Sequence, residues 1–337
     1  MLKKILLLVS FTLSTGAFAL SEANYALEYQ EKIIPLINSF QYGVMKGEKS
    51  IFIHYATYTT NPDSSLCMVI LPGRSEPLEK YAEVVHTMNN GATANTYKFF
   101  LMDHRGQGTS SRMSGVQSDM GYVDEFENYV LDLKNFMDTV VIPSGCSQKY
   151  LLAHSLGAGI AVNFMQEYPQ YFDKAALSSP MLKIMTAPYS YKVARTIVLA
   201  SMAAGRGKKF AVGQKGFTGV RNFEANTFTT SKVRYEMAMN MFDMNPKARL
   251  GGVSNRWLNE VMKATKDIRK NYSELRIPLR VFHAGMESYS EKSEMIRLCD
   301  EAAYCKRTYL ENSKHEVLMD SDANRDVVMN ALVEFFN

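Results

Sequence analysis

The sequence carries little net charge. Its 38 Lys and Arg stand against 34 Asp and Glu, a formal balance of +4 over 337 residues. Nucleic-acid binding usually draws on a strongly basic face, so nucleic acid is excluded as an expected partner. Internal repeats and low-complexity tracts are missing, which excludes a repeat architecture. After the first twenty residues no run is apolar enough to read as a transmembrane helix. Cysteine is scarce, at four residues. What remains is 46% hydrophobic and 21% charged, the composition of a globular chain. Its length suits a single α/β enzyme domain with an inserted cap.

The N-terminus reads as an export signal. Lys3 and Lys4 precede an apolar stretch from Ile5 to about Leu13, and Ala17-Phe18-Ala19 forms a small-x-small cleavage site. Ser10, Thr12, Ser14, Thr15 and Gly16 interrupt a stretch already short for a membrane anchor. No Cys follows Ala19, so a lipid-modified N-terminus is not expected. Residues 1–19 are assigned to the signal and 20–337 to the mature domain, periplasmic or secreted. Loss of Lys3 and Lys4 lowers the net charge to about +2. An oxidising compartment lets cysteines pair. Of three connectivities, Cys67–Cys146 and Cys299–Cys305 are favoured. The first two lie near the starts of strands expected to be neighbours, and the second two are close in sequence. Buried free thiols are the alternative for the first pair.

Strand-like apolar runs alternate with helical patterns. Strands are predicted at Ile51–Ala56, Leu66–Leu71, Lys98–Met102, Tyr150–Ala153, Ala175–Ser178, Leu279–Ala284 and Arg307–Leu310. The clearest helix runs from Val123 to Val140, with Phe126, Val130, Leu133, Phe136, Met137 and Val140 on one stripe. The fold class is therefore α/β, a doubly wound, mostly parallel sheet. The alternation stops between about 181 and 276. Helices are expected there at Tyr191–Ala204, Lys232–Met244 and Asn255–Tyr272, forming an inserted cap rich in Met.

The informative stretch is Leu151-Leu152-Ala153-His154-Ser155-Leu156-Gly157, a strand running into a tight turn and then a helix. That is the context of a nucleophile elbow. A serine hydroxyl is a weak nucleophile and must project from such a turn to meet a base. A dinucleotide fingerprint is the competing reading of Gly157-Ala158-Gly159, but its third glycine would fall at Val162. The turn Pro72-Gly73-Arg74 after another strand offers a second oxyanion donor. The backbone N–H groups of Arg74 and Leu156 are assigned to that role. His315 follows the last strand and precedes the terminal helix Ala323–Phe336, where the catalytic base arrives in the order Ser, acid, His. Glu287, after Leu279–Ala284, is the acid, with Glu291 and Glu294 as alternatives. His154 is expected to point away from the nucleophile. Asp103 and Arg105 are expected to pair with each other in a loop near the site. His315-Glu316 lacks the second histidine of a zincin helix, and neither a metal nor an organic cofactor is expected.

These residues resemble the bacterial lysophospholipase and monoacylglycerol lipase group of the α/β-hydrolase superfamily. The resemblance rests on Leu71-Pro72-Gly73-Arg74-Ser75-Glu76 with Lys80-Tyr81-Ala82-Glu83, Asp103-His104-Arg105-Gly106-Gln107-Gly108, Leu152–Gly157, and His315-Glu316-Val317-Leu318. Gly251-Gly252-Val253 and Trp257 in the cap favour the lysophospholipase branch. Pro72, Ala153, Pro77 and Glu287 depart from the wider superfamily, which has His, Gly, His and Asp there. The resemblance implies hydrolysis of a lysophospholipid through an acyl-enzyme on Ser155, with a lipid of one acyl chain as substrate. A monoacylglycerol lipase, a general carboxylesterase and a non-catalytic lipid-binding protein are the alternatives. Basic and aromatic residues interleave at Arg206, Lys208, Lys209, Phe210, Lys215, Phe217 and Arg221. They suggest peripheral contact with a lipid surface, a solvated loop being the plainer reading.

Overall fold

A computed structural model describes residues 19–90 and 95–337. The export-signal expectation for residues 1–19 thus falls almost wholly outside the described residues. Eight strands form one sheet in the order β1-β2-β4-β3-β5-β6-β7-β8. They are β1 Gln41–Lys46, β2 Phe52–Tyr58, β3 Leu66–Leu71, β4 Lys98–Met102, β5 Gln148–His154, β6 Lys174–Ser178, β7 Leu279–Ala284 and β8 Cys305–Leu310. β2 runs antiparallel to both its neighbours, and every pairing from β4 to β8 is parallel. The helices are α1 Ala82–Asn90, α2 Glu127–Phe136, α3 Ser155–Glu167, α4 Tyr191–Ala203, α5 Lys232–Met244, α6 Asn255–Ile268, α7 Lys292–Glu301 and α8 Asp322–Phe336, with shorter helical turns over residues 25–38.

The central strands bury both faces, and their alternation sorts side chains between two cores. In β3, Cys67, Val69 and Leu71 pack with α2, α3 and α6. Met68 and Ile70 face the opposite core, which α1, α8 and the N-terminal turns complete. The long helix expected over 123–140 begins at Glu127 and passes into a wider π-type turn over Met137–Val141. β1 escaped prediction because it is an edge strand with mostly exposed side chains and no apolar run.

Between β6 and β7 the chain leaves the sheet for α4, α5 and α6. Each begins on a serine whose hydroxyl accepts a backbone N–H three residues on: Ser190 from Val193, Ser231 from Arg234, Ser254 from Trp257. Such caps satisfy amides that a helix start otherwise leaves open. α4 packs on α6. The cysteines pair as Cys67–Cys146 and Cys299–Cys305, with Cα separations of 5.7 and 4.8 Å. The first ties the start of β3 to the turn before β5; the second ties α7 to β8.

Strand register decides what meets at the top of the sheet. Leu71 of β3 lies beside Ala153 of β5, so the turn after β3 adjoins the turn after β5. Ala284 of β7 lies beside Leu310 of β8, which brings the two following loops together. This is the C-terminal edge of the parallel strands, where open α/β sheets place their sites.

Candidate active site

Ser155 is the first residue of α3 and has φ of 48°, inside the left-handed region. A non-glycine residue there costs about 1–3 kcal/mol and persists only when its surroundings hold it. Gly157 explains the close passage behind it. A Cβ at that position would lie 2.5 Å from the Pro72 carbonyl oxygen and 2.6 Å from that of Leu71. The helix can therefore cross the end of β3 only without a side chain at Gly157.

The structure brings Ser155, His315 and Glu287 into one chain of hydrogen bonds. The Ser155 hydroxyl lies 2.8 Å from His315 Nε2, and His315 Nδ1 lies 2.7 Å from Glu287 Oε2. With the ring proton on Nδ1, the imidazole donates to Glu287 and Nε2 accepts from the serine. The other carboxylate oxygen, Oε1, accepts the amides of Ser288, Tyr289 and Ser290 at 2.9, 2.7 and 3.3 Å. Burial alone would raise the Glu287 carboxyl. The His315 hydrogen bond and charge, with the Tyr289 and Ser290 amides, outweigh it and hold the group below its usual range. Glu287 is thus kept as the carboxylate that an imidazolium needs. Glu291 stands at the residue before α7 and Glu294 meets Arg269 and Arg297; neither alternative acid joins the chain.

Leu156 is the second residue of α3, a position whose N–H has no acceptor within the helix. Arg74 sits between two committed amides. Gly73 N–H donates to Glu76 and Ser75 N–H to Gln107. These bonds hold the turn that carries the Arg74 N–H. The loop after β4 braces the turn further: a His104 ring nitrogen meets the Pro72 carbonyl at 3.0 Å, and Asp103 accepts from the Leu78 amide. Burial pushes the His104 imidazole down to about 4, so it is neutral and can donate to that carbonyl.

One sequence expectation changes. Asp103 and Arg105 do not pair with each other. Arg105 makes a buried fork to both carboxylate oxygens of Asp132 on α2, at 2.6 Å each. Asp103 accepts instead from Leu78 and Thr109. A fork needs a carboxylate facing it, and α2 supplies one where the neighbouring loop residue is turned away. His154, expected to point away from the nucleophile, directs its ring nitrogen to Ser178 and packs beside His315. Its Nδ1 lies 3.0 Å from the Ser178 hydroxyl, and its ring centroid lies 4.8 Å from that of His315. Burial pushes it down to about 4, so it adds no charge beside the base.

A buried ionic group behind the site escaped the sequence reading. Lys80 lies 2.6 Å from Glu76 and 2.7 Å from Glu316. Glu76 also accepts from Gly73 N–H and the Tyr81 hydroxyl. The cluster joins the turn after β3 to the residue after His315. Only the Glu76–Lys80 spacing of four hinted at it; Glu316 is brought in by the fold.

The site opens into a cavity of about 600 Å³, within the ordinary range for small-molecule sites. One wall is apolar and comes from the segment between β6 and β7: Ile184, Ala194, Ile197, Val198 and Leu258 among others. Ser155, His315, Arg74 and Tyr289 border the cavity. Among the described residues, no group of His, Cys, Asp and Glu is arranged to hold a metal ion.

A parallel sheet with a strained serine elbow, a histidine from the last loop and a carboxylate from the loop before it defines an α/β-hydrolase. The family described as serine aminopeptidase, S33 matches residues 62–322. Lysophospholipase L2 of Escherichia coli K12 is 30% identical over 278 residues, covering 80% of each chain. A soluble variant of monoglyceride lipase from Saccharomyces cerevisiae superposes with a TM-score of 0.67 at 15% identity, over 88% of this chain and 92% of that one. A thermostable carboxyl esterase from Bacillus coagulans gives 0.68 at 13%, over 89% and 98%. The chain belongs to the serine aminopeptidase S33 family of α/β-hydrolases, and within it is a lysophospholipase-like ester hydrolase.

Proposed function

We propose that this protein is a serine lysophospholipase that releases the single fatty acid of a lysophospholipid. The observation that carries the reading is the Ser155–His315–Glu287 chain opening onto one apolar-walled cavity. The 30% identity to a lysophospholipase L2 supports it. Ser155 attacks the ester carbonyl while His315 takes its proton. The Arg74 and Leu156 amides receive the oxyanion. His315 returns the proton to the departing alcohol, leaving an acyl-enzyme, and then activates water to release the fatty acid.

One acyl chain fits the reading better than two. Each methylene drawn out of an apolar phase costs about 0.8 kcal/mol. A second chain of some fifteen methylenes therefore adds roughly 12 kcal/mol to extraction. The test is fatty-acid release from a 1-acyl lysophospholipid and its matching diacyl lipid. At least tenfold faster release from the lysolipid is expected, and equal rates would discard the assignment.

Charge and exposure support peripheral contact of the cap with an anionic lipid surface. Residues 181–230 carry eight Lys and Arg but only one acidic residue, Glu224. Arg206, Lys208, Lys209 and Lys215 are exposed. Phe210 and Phe217 are half-buried, Phe217 against Phe242. The apolar share of such a contact therefore falls to Tyr189, Val212 and Val220, the last two 60% and 72% exposed. Changing Arg206, Lys208 and Lys209 together to Gln is expected to weaken binding to anionic vesicles while sparing hydrolysis of a short soluble ester. Unchanged vesicle binding would remove the surface from the proposal.

Export belongs to the same proposal. It rests on Lys3-Lys4, the apolar stretch and Ala17-Phe18-Ala19. Leu20, the expected first mature residue, is 1% exposed, and its carbonyl accepts from Arg234. N-terminal sequencing of periplasmic or secreted protein is expected to start at Leu20. Non-reducing peptide mapping should recover Cys299 joined to Cys305. An intact Met1 on membranes, or four alkylatable thiols, would contradict it.

A further inference from the structure

The charged groups bordering the cavity do not all find partners. Glu76 and Glu316 share Lys80, at 2.6 and 2.7 Å. His315 is held by Glu287 behind it. Arg74 differs. Among the described residues no carboxylate lies within ion-pair distance of its guanidinium. The hydrogen bond the structure gives it is from Nη1 to the Gly251 carbonyl, at 2.7 Å. Gly251 lies in the loop before α6, so this one bond aims the side chain across the cavity wall.

The ionisable groups acting on Arg74 are the phenols of Tyr289 and Tyr129. Burial raises both, Tyr129 to about 12, so both are neutral at ordinary pH. Burial also presses against the charged form of Arg74 itself. A guanidinium does not escape that cost by losing its proton. Arg74 is half-buried; an unpaired cation partly withdrawn from water is costly, and a bound anion relieves part of that cost. The planar fork suits the two oxygens of a phosphate ester.

The position of this cation tells which part of a substrate it meets. The same residue offers its backbone N–H to the oxyanion, so its side chain starts beside the scissile ester. The acyl chain has no anion and takes the apolar wall of Ile184, Ile197, Val198 and Leu258. An anion within reach of Arg74 must belong to the alcohol half. In a glycerophospholipid the phosphate lies only a few bonds from the ester.

We propose that the Arg74 side chain binds the phosphate of the alcohol half and so sets the preference for phosphate-bearing over neutral single-chain esters. This rests on the lysophospholipase reading but is separable from it. Arg74 serves twice, its amide toward the oxyanion and its guanidinium toward the head group.

The test uses the full mature protein and its Arg74→Gln and Arg74→Lys variants. Two substrates of the same acyl chain are compared, a lysophosphatidylglycerol and a monoacylglycerol. Charge-assisted hydrogen bonds are among the stronger polar contacts. The ratio of kcat/KM for the phosphate-bearing substrate over the neutral one is expected to fall about ten- to a hundredfold in Arg74→Gln. The fall should lie mainly in KM, as for a contact made before the transition state. Arg74→Lys should keep part of the ratio, because it keeps the charge. A second arm measures inhibition of short-ester hydrolysis by glycerol 3-phosphate, with glycerol as the uncharged comparison. The wild type should be inhibited competitively by the phosphate only, and Arg74→Gln at least tenfold less. An unchanged ratio, a parallel fall on both substrates, or a wild type insensitive to glycerol 3-phosphate would overturn the assignment. A wild type that binds glycerol 3-phosphate through Arg74 yet leaves lysolipids intact would sink the lysophospholipase reading and keep the anion site.

Discussion

Ser155→Ala is expected to lower kcat for ester hydrolysis by about 10⁶-fold, with His315→Ala falling nearly as far. Neither change should disturb the fold. Ser155 Oγ and the His315 ring meet at 2.8 Å above the sheet, and the elbow is held by backbone contacts such as the Met181 amide to the Ser155 carbonyl. The double variant should be no slower than either single one, because nucleophile and base act as a unit. Glu287→Gln should cost about 10⁴-fold. It would keep the shape but offer His315 an amide in place of a carboxylate, favouring the wrong tautomer. The check is turnover of a chromogenic ester beside circular dichroism of each variant, with fluorophosphonate labelling lost in Ser155→Ala. Wild-type turnover by Ser155→Ala would remove the nucleophile, and with it the mechanism.

The legible parts of this molecule are those whose neighbours are fixed by local chemistry. β3, β4 and β7 were placed to the residue because strands covered on both faces read as unbroken apolar runs. The serine elbow was legible because its tight turn demands small residues, and Gly157 meets two carbonyls where a Cβ would stand. What failed were features set by distant partners. Arg105 looked paired with Asp103 two residues away, but its partner, Asp132, arrives on α2. Glu316 joins Lys80 only because the last loop folds back over the turn after β3. β1 offers an edge strand without an apolar face, and sequence periodicity has nothing there to detect.

The largest loss of stability is expected from Glu83→Ala, far from the reacting atoms. Glu83 on α1 is one buried carboxylate facing two buried guanidiniums. Arg234 of α5 meets it at 2.9 Å and Arg325 of α8 at 3.3 Å, while the Tyr25 hydroxyl donates at 2.9 Å. Arg234 also donates to the Leu20 carbonyl, the Asp320 carbonyl and Asp322. The cluster ties the N-terminal segment, α1 and α8 of the sheet domain, and α5 from the segment between β6 and β7 to one another. Burial would raise the Glu83 carboxyl, but Arg325 and Arg234 overcome this and hold it below its usual range. A carboxyl depressed in the folded state contributes fully above its unfolded pKa and less as pH falls through the folded value. The wild type should therefore lose stability on acidification through this group, and Glu83→Gln should lose less of it. Truncation to Ala leaves Arg325 without an ion-pair partner and Arg234 with Asp322 alone, and breaking a buried pair by removing one partner typically costs about 3–5 kcal/mol. In a chain of this size that corresponds to a Tm lower by about 4–7 °C. Thermal melts at neutral and mildly acidic pH would measure both effects. Because Ser155, His315 and Glu287 touch none of these residues, turnover of a soluble ester well below the melt should survive the change. A Tm within 2 °C of wild type would show that hydration and the remaining partners of Arg234 offset the loss of Glu83, and would remove the cluster from the account of stability.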